Sequence, residues 1–143
     1  MAFDNILVVC VGNICRSPIA EALLTKQYPN KSIDSAGVAA VVGHGADEQA
    51  LKVMQEDNID MSSHIAKQIN EHLVTQADLI LTMSDSQTKW IENQWPHSRG
   101  KTFKLGHWSN KDIADPYKLD DQAFITAKQD IVSSLKQWTD KVS

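Results

Sequence analysis

Cys10 and Arg16 stand six positions apart in the stretch Cys10-Val11-Gly12-Asn13-Ile14-Cys15-Arg16-Ser17-Pro18, a spacing suited to chemistry at phosphorus. The thiolate is the reactive form of cysteine, and a helix N-terminus and a nearby cation both favour it. Arg16 can curl back over the intervening residues and offer a planar fork of donors to two oxygens of a tetrahedral anion. A lysine could not do this bidentately. Gly12 and Asn13 tolerate positive φ, as a loop that turns its amides inward requires.

The elements on either side must hold that loop. Residues 6–9 (Ile-Leu-Val-Val) form a short apolar run suited to a buried strand. Ser17-Pro18 reads as a helix opening, with Ser17 as cap and Pro18 at the first helical position. The loop therefore joins a strand end to a helix N-terminus, where backbone N–H groups converge and the helix dipole favours an anion. Val11, Gly12, Asn13, Ile14, Cys15, Arg16 and Ser17 are the expected phosphate-binding set. A lone cysteine after a strand is ordinarily a small buried hydrophobe, and Cys-x5-Arg alone recurs by chance. The Gly-Asn pair, the Arg-Ser-Pro run and the strand-to-helix setting distinguish this loop from such chance matches.

Downstream, helical spacing over residues 18–27 ends at Tyr28-Pro29-Asn30, and residues 32–36 read as a second strand closed by Gly37. A strand, a helix and a strand in so short a space imply a right-handed parallel crossover. Residues 38–46 are small and apolar, with Val41 and Val42 as a connector or a pocket wall. Asp47 caps a helix reaching Glu56, and a short helix is expected near residues 69–73. Residues 79–82 form a buried strand, Ser84 or Asp85 opens a helix ended by Trp95-Pro96, and residues 102–105 form a fourth strand. Phe124, Ala127, Ile131, Leu135, Trp138 and Val142 recur at spacings of three or four, predicting a long last helix from Asp120 or Asp121. The expectation is one α/β domain over residues 1–143, a doubly wound four-stranded parallel sheet with helices on both faces. Ligands of such sheets bind beyond the strand C-termini.

Composition narrows the function. The net charge is -4 and no Lys/Arg run is present, which disfavours nucleic acid or an anionic membrane as partner. The start, Met1-Ala2-Phe3-Asp4-Asn5, lacks a leader pattern, and no apolar run could insert in a membrane, so a cytoplasmic protein is expected. The two cysteines share one loop and cannot frame a secreted fold. The five histidines are scattered without ligand spacing, so no metal and no cofactor is expected. Cys15 has two readings: a small side chain packed into the loop, or a partner that captures an oxidised Cys10 as a disulfide.

Thiolate attack on a phosphate monoester expels an alkoxide or phenolate, and an acid that protonates the leaving oxygen eases that step. Asp115, in Ala114-Asp115-Pro116-Tyr117, follows the fourth strand on the sheet edge that carries the other loops. Proline holds the residue before it extended and so fixes where its carboxylate points. Asp-Pro alone is ordinarily a turn signal.

Taken together, these motifs resemble the low-molecular-weight protein tyrosine phosphatase family. The resemblance covers essentially the whole chain and implies a cysteinyl-phosphate intermediate on Cys10, oxygens held by Arg16 and the loop amides, and Asp115 as acid and then base. It implies supporting roles for Ser17, which donates to the Cys10 thiolate, for Ser35, and for His64, which hydrogen-bonds Asn13; a surface histidine is the alternative for His64. It implies that Tyr117 flanks the substrate ring, ordinary packing being the alternative. Residues 40–47, residues 106–108 and Asp115-Pro116-Tyr117 are similar to the bacterial Wzb-type branch, which implies a phosphotyrosine protein partner, a tyrosine autokinase governing capsule or exopolysaccharide export. Val38 and aliphatic Val41-Val42 depart from the Thr and the loop aromatic of many family members.

Three other readings compete. Arsenate reductases of this fold need further cysteines downstream, and none follows Cys15. Protein-arginine phosphatases tend to carry Thr where this chain has Ile14. A catalytically silent phosphotyrosine-binding module would keep the cradle but could lose the nucleophile or the acid.

Overall fold

Five consecutive buried residues, Ile6 to Cys10, place β1 (Asn5–Cys10) at the centre of the sheet. Its side chains alternate between two cores: Ile6, Val8 and Cys10 enter one, and Leu7 and Val9 the other. A strand covered on both faces needs this unbroken apolar run, because neither face may carry polar groups. The computed structural model describes residues 3–142. Met1 and Ala2, the start of the stretch read for a leader, and Ser143 lie outside the described residues.

The remaining elements are α1 (Arg16–Gln27), β2 (Ser32–Gly37), α2 (Glu48–Gln55), α3 (Glu71–Gln76), β3 (Leu79–Thr82), α4 (Asp85–Gln94), β4 (Thr102–Lys104) and α5 (Asp121–Val142). The strands are all parallel, in the order β2-β1-β3-β4. The chain winds outward from β1 to β2, then reverses to β3 and β4. Such a reversal opens a crevice beyond the strand C-termini, and Cys10 ends β1 there. The α/β architecture is the one expected from sequence.

Helices α1, α2 and α5 fill one face of the sheet, through Ile19, Leu24, Met54, Phe124 and Ile131 among others; α3 and α4 fill the other through Val74 and Ile91. All six apolar positions read on the last helix are buried, and each large apolar side chain so covered contributes roughly 1.5–3 kcal/mol. Asp47 and Ser84 cap α2 and α4 with their side chains. No helix among the described residues is long and apolar enough to cross a membrane.

Two elements start elsewhere than expected. The short helix begins at Glu71, not Ile69, because Ile69 N–H donates to Gly37 O (3.0 Å) and keeps the chain extended until Asn70 caps the helix. Helix α1 begins at Arg16, with Cys15 as its cap residue and no side-chain cap bond. Pro18 thus sits third in the helix, where its missing N–H is still one that no carbonyl of the helix could satisfy.

Candidate active site

The phosphate loop is shaped by where its carbonyls go. Val38 N–H donates to Cys10 O, Ala39 N–H to Val11 O and Val41 N–H to Gly12 O, each at 3.0 Å. His64 Nε2 lies 2.7 Å from Asn13 O, Asp47 N–H donates to Ile14 O at 2.9 Å, and Ile19 N–H donates to Cys15 O at 3.2 Å. A carbonyl only accepts, so His64 carries its proton on Nε2. With six successive carbonyls held by residues outside the loop, the peptide planes of residues 10–15 are fixed in orientation. Asn13 supplies the left-handed step, at φ 60°. Gly37 lets the end of β2 lie against this loop: a Cβ there would come 2.4 Å from Val11 O.

Behind the loop, the side chain of Asn13 is wholly buried and donates to Ser17 Oγ (2.8 Å) and Ser35 Oγ (3.0 Å), while its Oδ1 accepts from Lys67 N–H (3.0 Å). Ser17 Oγ is 2.9 Å from Cys10 Sγ. Because this hydroxyl accepts from Asn13, its own hydrogen is available to the sulfur. Ser17 does not cap the helix as the sequence suggested; its oxygen is taken up by Cys10 and Asn13. Ser35 Oγ repeats the pattern, accepting from Asn13 and donating to Glu21 Oε1 at 2.5 Å. Burial holds the Glu21 carboxyl above the usual carboxylate range, against the opposing hydrogen bond from Ser35. Both cysteines are free thiols. Burial, reinforced by the nearby Asp47 carboxylate, pushes the Cys15 thiol up, so that it stays protonated.

Arg16, only 4% exposed, reaches across to the loop after β4. Its Nη1 donates to Ile113 O at 2.9 Å and its Nη2 lies 3.5 Å from Asp115 Oδ2. Asp115 Oδ1 accepts from Tyr117 N–H at 3.1 Å. Cys10, Arg16, Val41, Asp115 and Tyr117 line one cavity of about 140 Å³, with Val11, Gly12, Ile14, Cys15 and Ala39. Val42 does not line it; its side chain is exposed beside the rim. A larger polar groove of about 580 Å³ lies behind the loop, against Glu21, Ser35 and His64, away from Cys10.

Sequence reasoning missed Glu21, Lys67 and Ile113. Ser17 and Glu21 are spaced four apart on α1, which puts the two polar side chains on one helical face and could have pointed to Glu21. Lys67 and Ile113 act through backbone groups that side-chain type does not reveal.

A model of the family described as low molecular weight phosphotyrosine protein phosphatase matches residues 5–143. The chain belongs to this family. It is 52% identical over 139 residues to the low molecular weight protein-tyrosine-phosphatase Ptp of Acinetobacter johnsonii, covering 97% of this chain and 98% of that one. It is 43% identical to the low molecular weight protein-tyrosine-phosphatase Wzb of Escherichia coli K12, covering 95% and 93%. Among solved structures, Vibrio vulnificus Wzb in complex with benzylphosphonate superposes with a TM-score of 0.93 at 41% identity, covering 98% of this chain and 99% of that one. The activity of the chain is that of this family, protein tyrosine phosphatase, a phosphoric monoester hydrolysis.

Proposed function

We propose that Cys10 is the nucleophile, Arg16 and the loop amides the oxyanion site, and Asp115 the general acid and base of phosphotyrosine hydrolysis. One observation carries this: Cys10 Sγ, with Ser17 Oγ 2.9 Å away, opens into the cavity whose wall holds both Asp115 and Arg16. Sulfur attacks phosphorus as the bond to the tyrosyl oxygen breaks, and Asp115 delivers a proton to that oxygen. The thiol ester of phosphate is then attacked by water, from which Asp115 takes the proton, and the leaving thiolate is stabilised by the Ser17 hydroxyl. Inward amides and the Arg16 fork carry the charge of the equatorial oxygens through both steps. Val41 and Tyr117 flank the substrate ring, and His64 and Ser35 hold Asn13 in place.

The partner we propose is a phosphotyrosine protein in the cytoplasm, a bacterial tyrosine autokinase that controls capsule or exopolysaccharide production. Similarity along almost the full length to proteins named Wzb supports this choice. The test is hydrolysis of p-nitrophenyl phosphate and a phosphotyrosine peptide in EDTA. Turnover should vanish in Cys10→Ser and fall about 10²-fold or more in Asp115→Asn. A native protein that binds the peptide but turns over neither substrate would instead be a phosphotyrosine-binding module.

A further inference from the structure

We infer that Lys104 is a positioning residue for Asp115, anchoring the loop that carries the acid to the end of the sheet. The inference rests on the reading of Asp115 as general acid. Lys104 is the last residue of β4, in register with Thr82 of β3, so its backbone is part of the rigid sheet. Its side chain is only 7% exposed, an unusual place for an ammonium group. The Nζ donates to Asp85 Oδ2 at 3.0 Å, Asn110 Oδ1 at 3.2 Å and Asp112 Oδ1 at 3.1 Å. An ammonium has three N–H donors, and all three are used. Two of the bonds are charge-assisted, the stronger class.

The ties reach the start of α4 on one side and the loop after β4 on the other. Asp112 precedes Ile113, whose side chain is buried, whose N–H donates to Met83 O at 2.8 Å and whose carbonyl accepts from Arg16. Only Ala114 separates this fixed residue from Asp115, and Pro116 restricts Asp115 to an extended backbone. Asp112 Oδ1 also accepts from the backbone N–H of Asp85 at 3.3 Å, and the two carboxylates sit close together because both accept from the one ammonium. Remove the cation and they repel each other, displacing the loop at the residue next to Ile113. Asp115 then loses its aim, while the contacts that hold the carbonyls of residues 10–15, all made by other residues, are untouched.

General acid catalysis gives a specific readout. A protonated leaving group makes kcat/KM insensitive to the acidity of the phenol released, and loss of the acid makes it steeply dependent. We would measure kcat/KM for a series of aryl phosphates, from p-nitrophenyl to phenyl, with inorganic phosphate as inhibitor. The proteins are the native chain, Asp115→Asn, Lys104→Met, Lys104→Arg and Asp112→Ala. Lys104→Met and Asp112→Ala should lose on the order of tenfold with phenyl phosphate but less than about twofold with the nitrophenyl ester, with phosphate inhibition unchanged. Lys104→Arg should recover most of the loss. Should Lys104→Met fail to fold, Asp112→Ala carries the same test, since it cuts the tie and leaves Lys104 paired with Asp85. An equal loss across the series, or none, in both Lys104→Met and Asp112→Ala overturns the inference while a steep series in Asp115→Asn upholds the acid. A flat series in Asp115→Asn overturns the acid assignment and the positioning role together.

Discussion

The two loops that meet over Cys10 are held in different ways. In the phosphate loop, residues 10–16, every carbonyl from Cys10 to Cys15 is bonded from outside, and Cys10, Asn13, Cys15 and Arg16 are buried. The supports come from the extension of β2, from Asp47, from His64 and, for Cys15, from Ile19 of α1. In the acid loop Ala114, Asp115 and residues 117–120 are exposed, and the ties concentrate at Ile113, Lys104 and Pro116. The role proposed for residues 10–16, a cradle for a trigonal phosphoryl group, requires that they be formed before reaction, since reorganising them during the step would forfeit the advantage. The acid role proposed for Asp115 sets a different task, admitting a protein-borne ring and releasing it, for which a loop pinned at a few points suffices. Arg16 joins the two, rooted in the first loop and bonded to the second.

That junction is the most sensitive point of the comparison. Arg16→Lys keeps the charge but loses the planar fork, whose separate nitrogens let one group hold Ile113 O and still present parallel donors towards the cavity. Its kcat/KM towards p-nitrophenyl phosphate is expected to fall by about 10²–10³-fold, as for loss of a principal oxyanion donor. A drop of less than about tenfold in steady-state assays would mean that the amides alone hold the phosphoryl group and that the two loops work independently.

A pair of glycine substitutions separates the loops. At Gly37 a Cβ would lie 2.4 Å from Val11 O and 3.1 Å from Ala40 Cα; at Gly106 it would lie 2.0 Å from Lys111 O. Both contacts are with backbone, so the neighbouring loop must shift, at about 1–3 kcal/mol in stability. Gly37→Ala moves the cradle and should weaken inhibition by inorganic phosphate several-fold, whatever the substrate. Gly106→Ala moves the acid loop and should leave phosphate inhibition near native while making kcat/KM depend on the leaving group. Equal changes in both measurements for both variants would erase the distinction.

Much of the fold could be read from the sequence because its signals are local and repeated. Leu79–Leu81 is uniformly apolar, the α5 face recurs every three or four residues, and Asp47 and Ser84 are placed to cap. The misreadings share a cause. Ser17 has the chemistry of a cap but is claimed by Cys10 and Asn13, and Ile69 has helical neighbours but spends its N–H on Gly37. At the site, Cys10, Arg16 and Asp115 stood out because their residue types announce chemistry. Lys104 did not: its partners Asp85, Asn110 and Asp112 come from either side of it in the chain, and no spacing rule links them. Val42 was indistinguishable by type from Val41, and only the turn between them decides which faces the cavity.

The smallest expected effect concerns the back of the cradle, through Glu21. Burial raises the folded-state pKa of this carboxyl, with Asp34 adding to the effect and Ser35, His64 and Lys67 opposing it. A group whose folded pKa is raised contributes stability that is full below its unfolded value and is lost as pH rises through the folded value. The native chain therefore loses stability as Glu21 ionises, and Glu21→Gln, which keeps an oxygen acceptor for the Ser35 hydroxyl, does not. Thermal unfolding of both proteins from about pH 4 to about pH 8 should show the variant gaining on the native chain with rising pH and then levelling off. A difference that shrinks over that range would mean that the ionised carboxylate is stabilised by Ser35, His64 and Lys67 more than burial penalises it. The support behind Asn13 would then be an ionic network open to screening by salt, and the phosphate loop would rest on a softer base than its carbonyl contacts suggest.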